Sequence, residues 1–160
     1  MQFKKKVSQN KSKILYVDDE IQNLNSFKAS FRREYDVLTA TNAKDAMEIL
    51  SKNEIHVIIS DQRMPEITGI EFLESILHQY PFIPRILLTG YADIDAVIDA
   101  INRGSVYRYI QKPWNDEELK LIINSAIELY LLNRNKEDYT EKLIISNEQM
   151  EFLLRQNLLS

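Results

Sequence analysis

Five short apolar runs, each followed by a segment of helical periodicity, constrain the fold of this 160-residue chain more than any other feature. Ile14-Leu15-Tyr16-Val17 stops at Asp18-Asp19-Glu20, after which Ile21, Leu24, Phe27 and Phe31 recur at helical spacing. Tyr35 to Ala40 is the second run; Asn42 follows as an N-cap, with Ala43, Ala46, Met47 and Leu50 on one helical face. The third run starts at Ile55, ends in Ser60 and Asp61, and precedes a helix carrying Ile70, Leu73, Ile76, Leu77 and Tyr80. Arg85 to Thr89 pairs with a helix of Ile94, Val97, Ile98 and Ile101, and Val106 to Ile110 with one of Leu119, Ile122, Ile123, Ala126 and Ile127. Serial strand-helix units predict an α/β domain: a doubly wound parallel sheet with helices on both faces.

Parallel strands bring their C-terminal ends to one edge, and in open α/β sheets ligands bind there. The residues so placed are Asp18 and Asp19, Asp61, Thr89-Gly90 and Lys112-Pro113. Taken singly, each has an ordinary reading: Asp61 as a turn aspartate, Asp18-Asp19 as a helix cap, Thr89 and Lys112 as strand-end and surface residues. Taken together they assemble three carboxylates, a hydroxyl and an amine in one cleft. Crowded carboxylates repel unless a cation compensates them, and Mg²⁺ takes such hard oxygen ligands while leaving room for a phosphate oxygen. A carboxylate beside a metal-bound phosphoryl donor is a nucleophile, and Asp61, the lone acid of its strand, is the candidate. Asp18 and Asp19 would then hold the metal, with Lys112 and Thr89 serving phosphoryl oxygens.

Composition narrows the alternatives. Hydrophobic content of 44%, charged content of 28% and a net charge of -4 fit a globular protein and give no reason to expect nucleic-acid binding. Cysteine is absent, which excludes disulfides and thiolate metal sites. His56 and His78 fall in the third strand and third helix, so zinc is not supported. No apolar run reaches the ~18 residues of a membrane span, and no signal-peptide core follows the lysine-rich start, so a cytoplasmic location without membrane association is expected. Residues 1–12 form a basic N-terminal arm with Lys4, Lys5, Lys6 and Lys11.

Asp18-Asp19, Asp61 with Met64-Pro65 and Gly69, Thr89-Gly90 and Lys112-Pro113-Trp114 together resemble the receiver domain of two-component response regulators. The likeness covers residues 13–132. It implies a flavodoxin-like (βα)5 fold of strand order 2-1-3-4-5, with Asp61 as phosphoacceptor from a histidine kinase or phosphotransfer protein, and acetyl phosphate as an alternative donor. It further implies that Asp19 and Asp61 ligate Mg²⁺ (or Mn²⁺) directly, that Asp18 acts mainly through water, and that the Arg63 backbone carbonyl completes the set. Pro113 is implied to follow a cis peptide bond. Thr89 and Tyr109 are implied to form the switch, the aromatic turning inward as the threonine moves onto the phosphoryl group. The changed surface would be helix 4, strand 5 and helix 5, where Tyr91, Tyr107 and Trp114 are candidate exposed contacts, with core packing an equal alternative for each. The wording Ser-Asp-Gln-Arg-Met-Pro and Leu-Leu-Thr-Gly-Tyr-Ala-Asp is similar to receivers coupled to HD-GYP phosphodiesterases.

Neither Gly nor Pro occurs from Trp114 to Ser160, so the fifth helix is expected to run on through 133–160. Ile122, Ala126 and Leu129 start a heptad-like seam; Asn133, Lys136 and Thr140 interrupt it, and Leu143, Met150 and Leu154 resume it. A coiled coil or hairpin that makes a homodimer is one reading, a linker to an output domain the other. About 28 residues are too few for a catalytic or DNA-binding domain, so the chain reads as a stand-alone receiver with a dimerising tail or as part of a longer regulator. Two rival functions remain: a phosphorylation-independent scaffold, and a haloacid-dehalogenase-like phosphatase. The phosphatase is disfavoured because it needs two acids one residue apart, where Asp18 and Asp19 are adjacent.

Overall fold

The computed structural model describes residues 10–90 and 93–158; Lys4, Lys5, Lys6 and Tyr91 lie outside them. Five strands and five helices alternate: β1 (Lys13–Val17), α1 (Ile21–Phe31), β2 (Asp36–Ala40), α2 (Ala43–Lys52), β3 (Val57–Asp61), α3 (Gly69–Ile76), β4 (Arg85–Thr89), α4 (Ile94–Asn102), β5 (Arg108–Gln111) and α5 (Asp116–Leu158). All strand pairs are parallel, in the order β2-β1-β3-β4-β5. The expected flavodoxin-like architecture is therefore the observed one.

Strand periodicity of two divides the core into two layers. Ile14 and Tyr16 of β1, Val57 and Ile59 of β3, and Ile86 and Leu88 of β4 pack with Leu24, Phe27 and Phe31 of α1 and with Leu119, Ile123 and Ala126 of α5. The alternate residues Leu15, Val17, Ile58 and Leu87 pack on α2, α3 and α4 through Leu50, Leu73, Ile76, Val97 and Ala100. β3 and β4 are buried along their whole length, which is why they read as unbroken apolar runs.

Three element boundaries differ from the sequence expectation by more than a single residue. α3 stops at Ile76 rather than near Tyr80: Leu77 N–H reaches back only three residues to the Glu74 carbonyl, and Pro81 steers Tyr80 out of helical geometry. β5 starts at Arg108 rather than Val106, because Ser105 and Val106 N–H groups are spent on the Ala100 carbonyl at the end of α4. β3 starts at Val57, leaving His56 ahead of the strand, and His78 sits in the turn after α3.

Helix α5 runs unbroken to Leu158, as the absence of Gly and Pro predicts. Its buried face ends at Tyr130. Ile122 and Ala126 belong to the domain core, so the seam expected to begin there is not free until the helix leaves the sheet. Beyond that point Leu132, Leu143, Ile145, Met150, Phe152 and Leu153 are all more than half exposed. Among the described residues no helix is long and apolar enough to cross a membrane.

Candidate functional site

The register of the sheet places the ends of β1, β3 and β4 side by side: Val17 lies opposite Ser60, and Asp61 opposite Leu88. The acids that follow or end these strands meet accordingly. One carboxylate oxygen each from Asp18, Asp19 and Asp61 lies within 4.8 Å of the others. Asp18 and Asp61 are buried and Asp19 is exposed, so the cluster is seated in the fold but open on one side.

Asp18 is held by protein donors. Its Oδ2 accepts from the Tyr16 hydroxyl at 2.7 Å and from Asn23 Nδ2 at 3.1 Å, and its Oδ1 accepts from Glu20 N–H at 2.9 Å. Burial, with the bond to Asp18 added, pushes the Tyr16 phenol well above its ordinary value, so it stays a donor at all physiological pH. Tyr16 and Asn23 were missed by sequence reasoning. The signal was present for Tyr16: two residues before Asp18, it falls on the same side of an extended chain.

Lys112 closes the cleft from the end of β5, its Nζ 2.5 Å from Asp61 Oδ1. Burial raises the Asp61 carboxyl above its ordinary value; the hydrogen bond and charge of Lys112 oppose that rise, and the neighbouring Asp18 charge adds to it. The Lys112–Pro113 peptide bond is cis. Lys112 N–H also donates to the Thr89 carbonyl at 3.0 Å, tying the ends of β4 and β5 together. Thr89 is buried, and its hydroxyl donates to the Gly90 carbonyl at 3.1 Å, not to the acid cluster. Tyr109, on the edge strand, is exposed.

The loop after Asp61 is folded against β3. Gly69 N–H donates to the Gln62 carbonyl and Ile70 N–H to Gln62 Oε1, at 3.0 and 2.9 Å. A Cβ on Gly69 would collide with the Asp61 carbonyl oxygen and approach Leu87 Cδ1 to 2.8 Å, so only glycine admits this contact. Arg63 Nε pairs with the Asp93 carboxylate at 3.3 Å, beside Asp19. Tyr107 and Trp114, for which surface contact and core packing were equal readings, are half-buried against the α1–α5 core layer; Trp114 meets the Phe27 ring edge-on.

The donor set suits a hard divalent cation: carboxylate oxygens alone, converging from two strand ends, with no histidine or thiolate nearby among the described residues.

The response regulator receiver domain model matches residues 14–124, and the chain belongs to that family. HoxA, a hydrogenase transcriptional regulatory protein of Bradyrhizobium diazoefficiens, is 34% identical over 124 residues, spanning 78% of this chain and 26% of HoxA. The chain spans about a quarter of the length of such curated relatives. Among solved structures, the signal receiver domain of an HD domain-containing protein from Pseudomonas fluorescens is 34% identical with a TM-score of 0.73, covering 79% of this chain and 94% of that one. A Rhodopirellula baltica structure described as adenylate cyclase is 31% identical with a TM-score of 0.79, covering 82% and 98%. The chain is thus a two-component signalling domain. Receivers of this family bind Mg²⁺ at an acidic pocket, and they interact with histidine kinases or phosphotransfer partners.

Proposed function

We propose that Asp61 is the phosphoacceptor of a switch driven by a histidine kinase or a phosphotransfer protein. The observation that carries this reading is the meeting of Asp18, Asp19 and Asp61 with the ammonium of Lys112 at one sheet edge. A carboxylate oxygen of Asp61 attacks phosphorus, and the bond from phosphorus to the phosphohistidine nitrogen, or to the acyl oxygen of acetyl phosphate, breaks. The Lys112 ammonium, already on Asp61 Oδ1, passes to a phosphoryl oxygen as negative charge spreads there. Thr89, one strand away, turns its hydroxyl from the Gly90 carbonyl to another phosphoryl oxygen.

Asp19, Asp61 and the Arg63 carbonyl would hold Mg²⁺ or Mn²⁺ directly, and Asp18 through water. The three protein donors that already occupy both oxygens of Asp18 support the indirect role. The ion supplies neutralisation of phosphoryl charge in a site that otherwise crowds three carboxylates.

Movement of Thr89 leaves room for Tyr109 to turn inward, shifting the population toward a second packing of α4, β5 and α5. We take 13–132 as the switching unit, 1–12 as a basic arm, and 133–160 as the element that reports the change. The exposed apolar side chains of Leu143 to Leu154 favour a homodimer of tails over a bare linker, since an isolated helix this apolar gains from burial. We place the protein in the cytoplasm, with no nucleic-acid or membrane partner of its own. The similar receivers belong to a transcription regulator and an HD domain-containing protein, so the same switch serves different outputs.

Incubation with acetyl phosphate and Mg²⁺, followed by intact mass, tests the reading. Native protein gains one phosphoryl group and Asp61→Asn gains none; equal labelling of both would remove Asp61 from the role. Turnover of a small phosphate ester at enzymic rates would favour the phosphatase reading instead.

A further inference from the structure

A groove of about 770 Å³ opens at the edge of the sheet opposite Asp61, where the strands begin. Lys11 and Lys13 enter it from the start of β1, Lys28 and Arg32 from the end of α1, and His56 from the approach to β3. The chain is acidic overall, yet this wall is cationic.

These four cations share one groove and, among the described residues, have no carboxylate partner there, whereas other unpaired cations such as Lys44 and Arg108 lie outside it. Arg63, Arg103, Lys112, Lys120 and Arg134 each meet a carboxylate, whereas Lys11, Lys13, Lys28 and Arg32 form no ion pair among the described residues. Two acids line the groove, and one is already engaged: Glu54 accepts from the Tyr130 hydroxyl at 3.0 Å and pairs with Arg134. That leaves Asp36 against four cations. Lys28 and Arg32 complement the C-terminal end of the α1 dipole, but Lys11 and Lys13 come from another element and have no such role. Lys11 is fixed at the rim, its Nζ donating to the Arg32 carbonyl at 3.0 Å. His56 Nδ1 accepts from Lys13 N–H at 3.0 Å, which puts the ring proton on Nε2 and makes that atom a donor.

We propose that this groove binds a small ligand bearing two or three linked phosphates. A single carboxylate or phosphate would leave most of the cations uncompensated, whereas linked phosphates offer several oxygens to one guanidinium and three ammonium groups. The volume lies within the range of roughly 300–1,000 Å³ usual for small-molecule sites. Tyr35, the aromatic ring of the lining besides His56, is buried and gives its hydroxyl to Asn124, so it offers no stacking platform. Recognition therefore rests on the phosphates rather than on a base. The site is separate from the acceptor cleft and does not depend on phosphorylation of Asp61.

The test is titration of the full chain with tripolyphosphate in magnesium-free, low-salt buffer, followed by amide NMR shifts. Saturable shifts are expected in residues 10–13, 28–37 and 54–56, weakening as salt is added. The exposed pair Lys28→Glu and Arg32→Glu should weaken binding about tenfold or more while leaving the spectrum dispersed, and Lys28→Gln with Arg32→Gln should do so by less. Asp61→Asn should bind as the native chain does, which separates this site from the proposed acceptor. Absence of saturable shifts there, or shifts that survive charge reversal, would overturn the site. Equal affinity for inorganic phosphate, or tighter binding of a polyglutamate peptide, would overturn the ligand class.

Discussion

Lys112 Nζ lies 2.5 Å from Asp61 Oδ1, joining the end of β5 to the end of β3 across β4. The ammonium compensates part of the acidic cluster and stands where phosphoryl charge would develop. Lys112→Ala should therefore slow phosphorylation by acetyl phosphate by about 10²-fold or more, as loss of a preorganised charge partner does. Folding should survive, since the side chain is partly exposed. Stopped-flow or mass-resolved time courses check the rate; an unchanged rate would remove Lys112 from the chemistry.

Divalent ions should stabilise the folded chain by mass action, because the acids converge only when β1 and β3 are paired. At about 100 times the dissociation constant the gain is ~2.7 kcal/mol. Thermal unfolding with and without Mg²⁺ or Mn²⁺ reads it. The upward shift in Tm should vanish in Asp19→Asn, and Ca²⁺ should substitute poorly in a site of so few carboxylates. A shift that persists in Asp19→Asn would place the ion elsewhere.

Gly69→Ala should destabilise the chain by about 1–3 kcal/mol, because the added methyl must push either the Asp61 carbonyl or Leu87 from a packed position. The displaced group is the backbone of Asp61, the proposed acceptor, so phosphorylation should slow as well. Urea unfolding and labelling rate measured on one preparation test both. Wild-type stability would show that the loop relaxes freely.

His56 gives the fold a pH dependence of predictable sign. Burial holds its pKa below the ordinary 6.5, with the Arg134 and Lys13 charges adding to the depression and the Glu54 charge opposing it. The unfolded chain then binds the proton more readily than the folded one, so this contribution to stability is present above the unfolded pKa. It is lost as pH falls from about 6.5 toward the lower folded value. His56→Asn keeps an acceptor for Lys13 N–H and should flatten the fall in Tm between about pH 7.5 and 5. An identical fall in both proteins would assign it to carboxylates alone.

Much of this architecture was legible because two apolar patterns do different work. Short unbroken apolar runs and amphipathic segments near a period of 3.6 distinguish β3 and β4 from α1 and α2 without tertiary information, and parallel connectivity then sends Asp18, Asp19, Asp61 and Lys112 to one edge. What escaped the sequence was decided by contacts distant in the chain. Arg85 opens β4 with a charged side chain, and its guanidinium is buried, donating to the carbonyls of Ile83, Gly104 and Ser105. Trp114 and Tyr107 could be read as surface contacts or as core, and packing against the α1–α5 layer, with Phe27 of α1 against Trp114, decides for partial burial. The free seam of α5 begins later than the heptad count implied, because Ile122 and Ala126 face the sheet.

The assignment of Asp61 is tested most directly by trapping the acyl phosphate chemically and locating it in the chain. After phosphorylation with acetyl phosphate and Mg²⁺, borohydride reduces an aspartyl phosphate to homoserine, and peptide sequencing by mass finds the altered residue. Homoserine at position 61, absent when the donor or the metal is withheld, is the result predicted. Homoserine at position 18 or 19, or none in a chain that carries phosphate, would contradict the account at its centre.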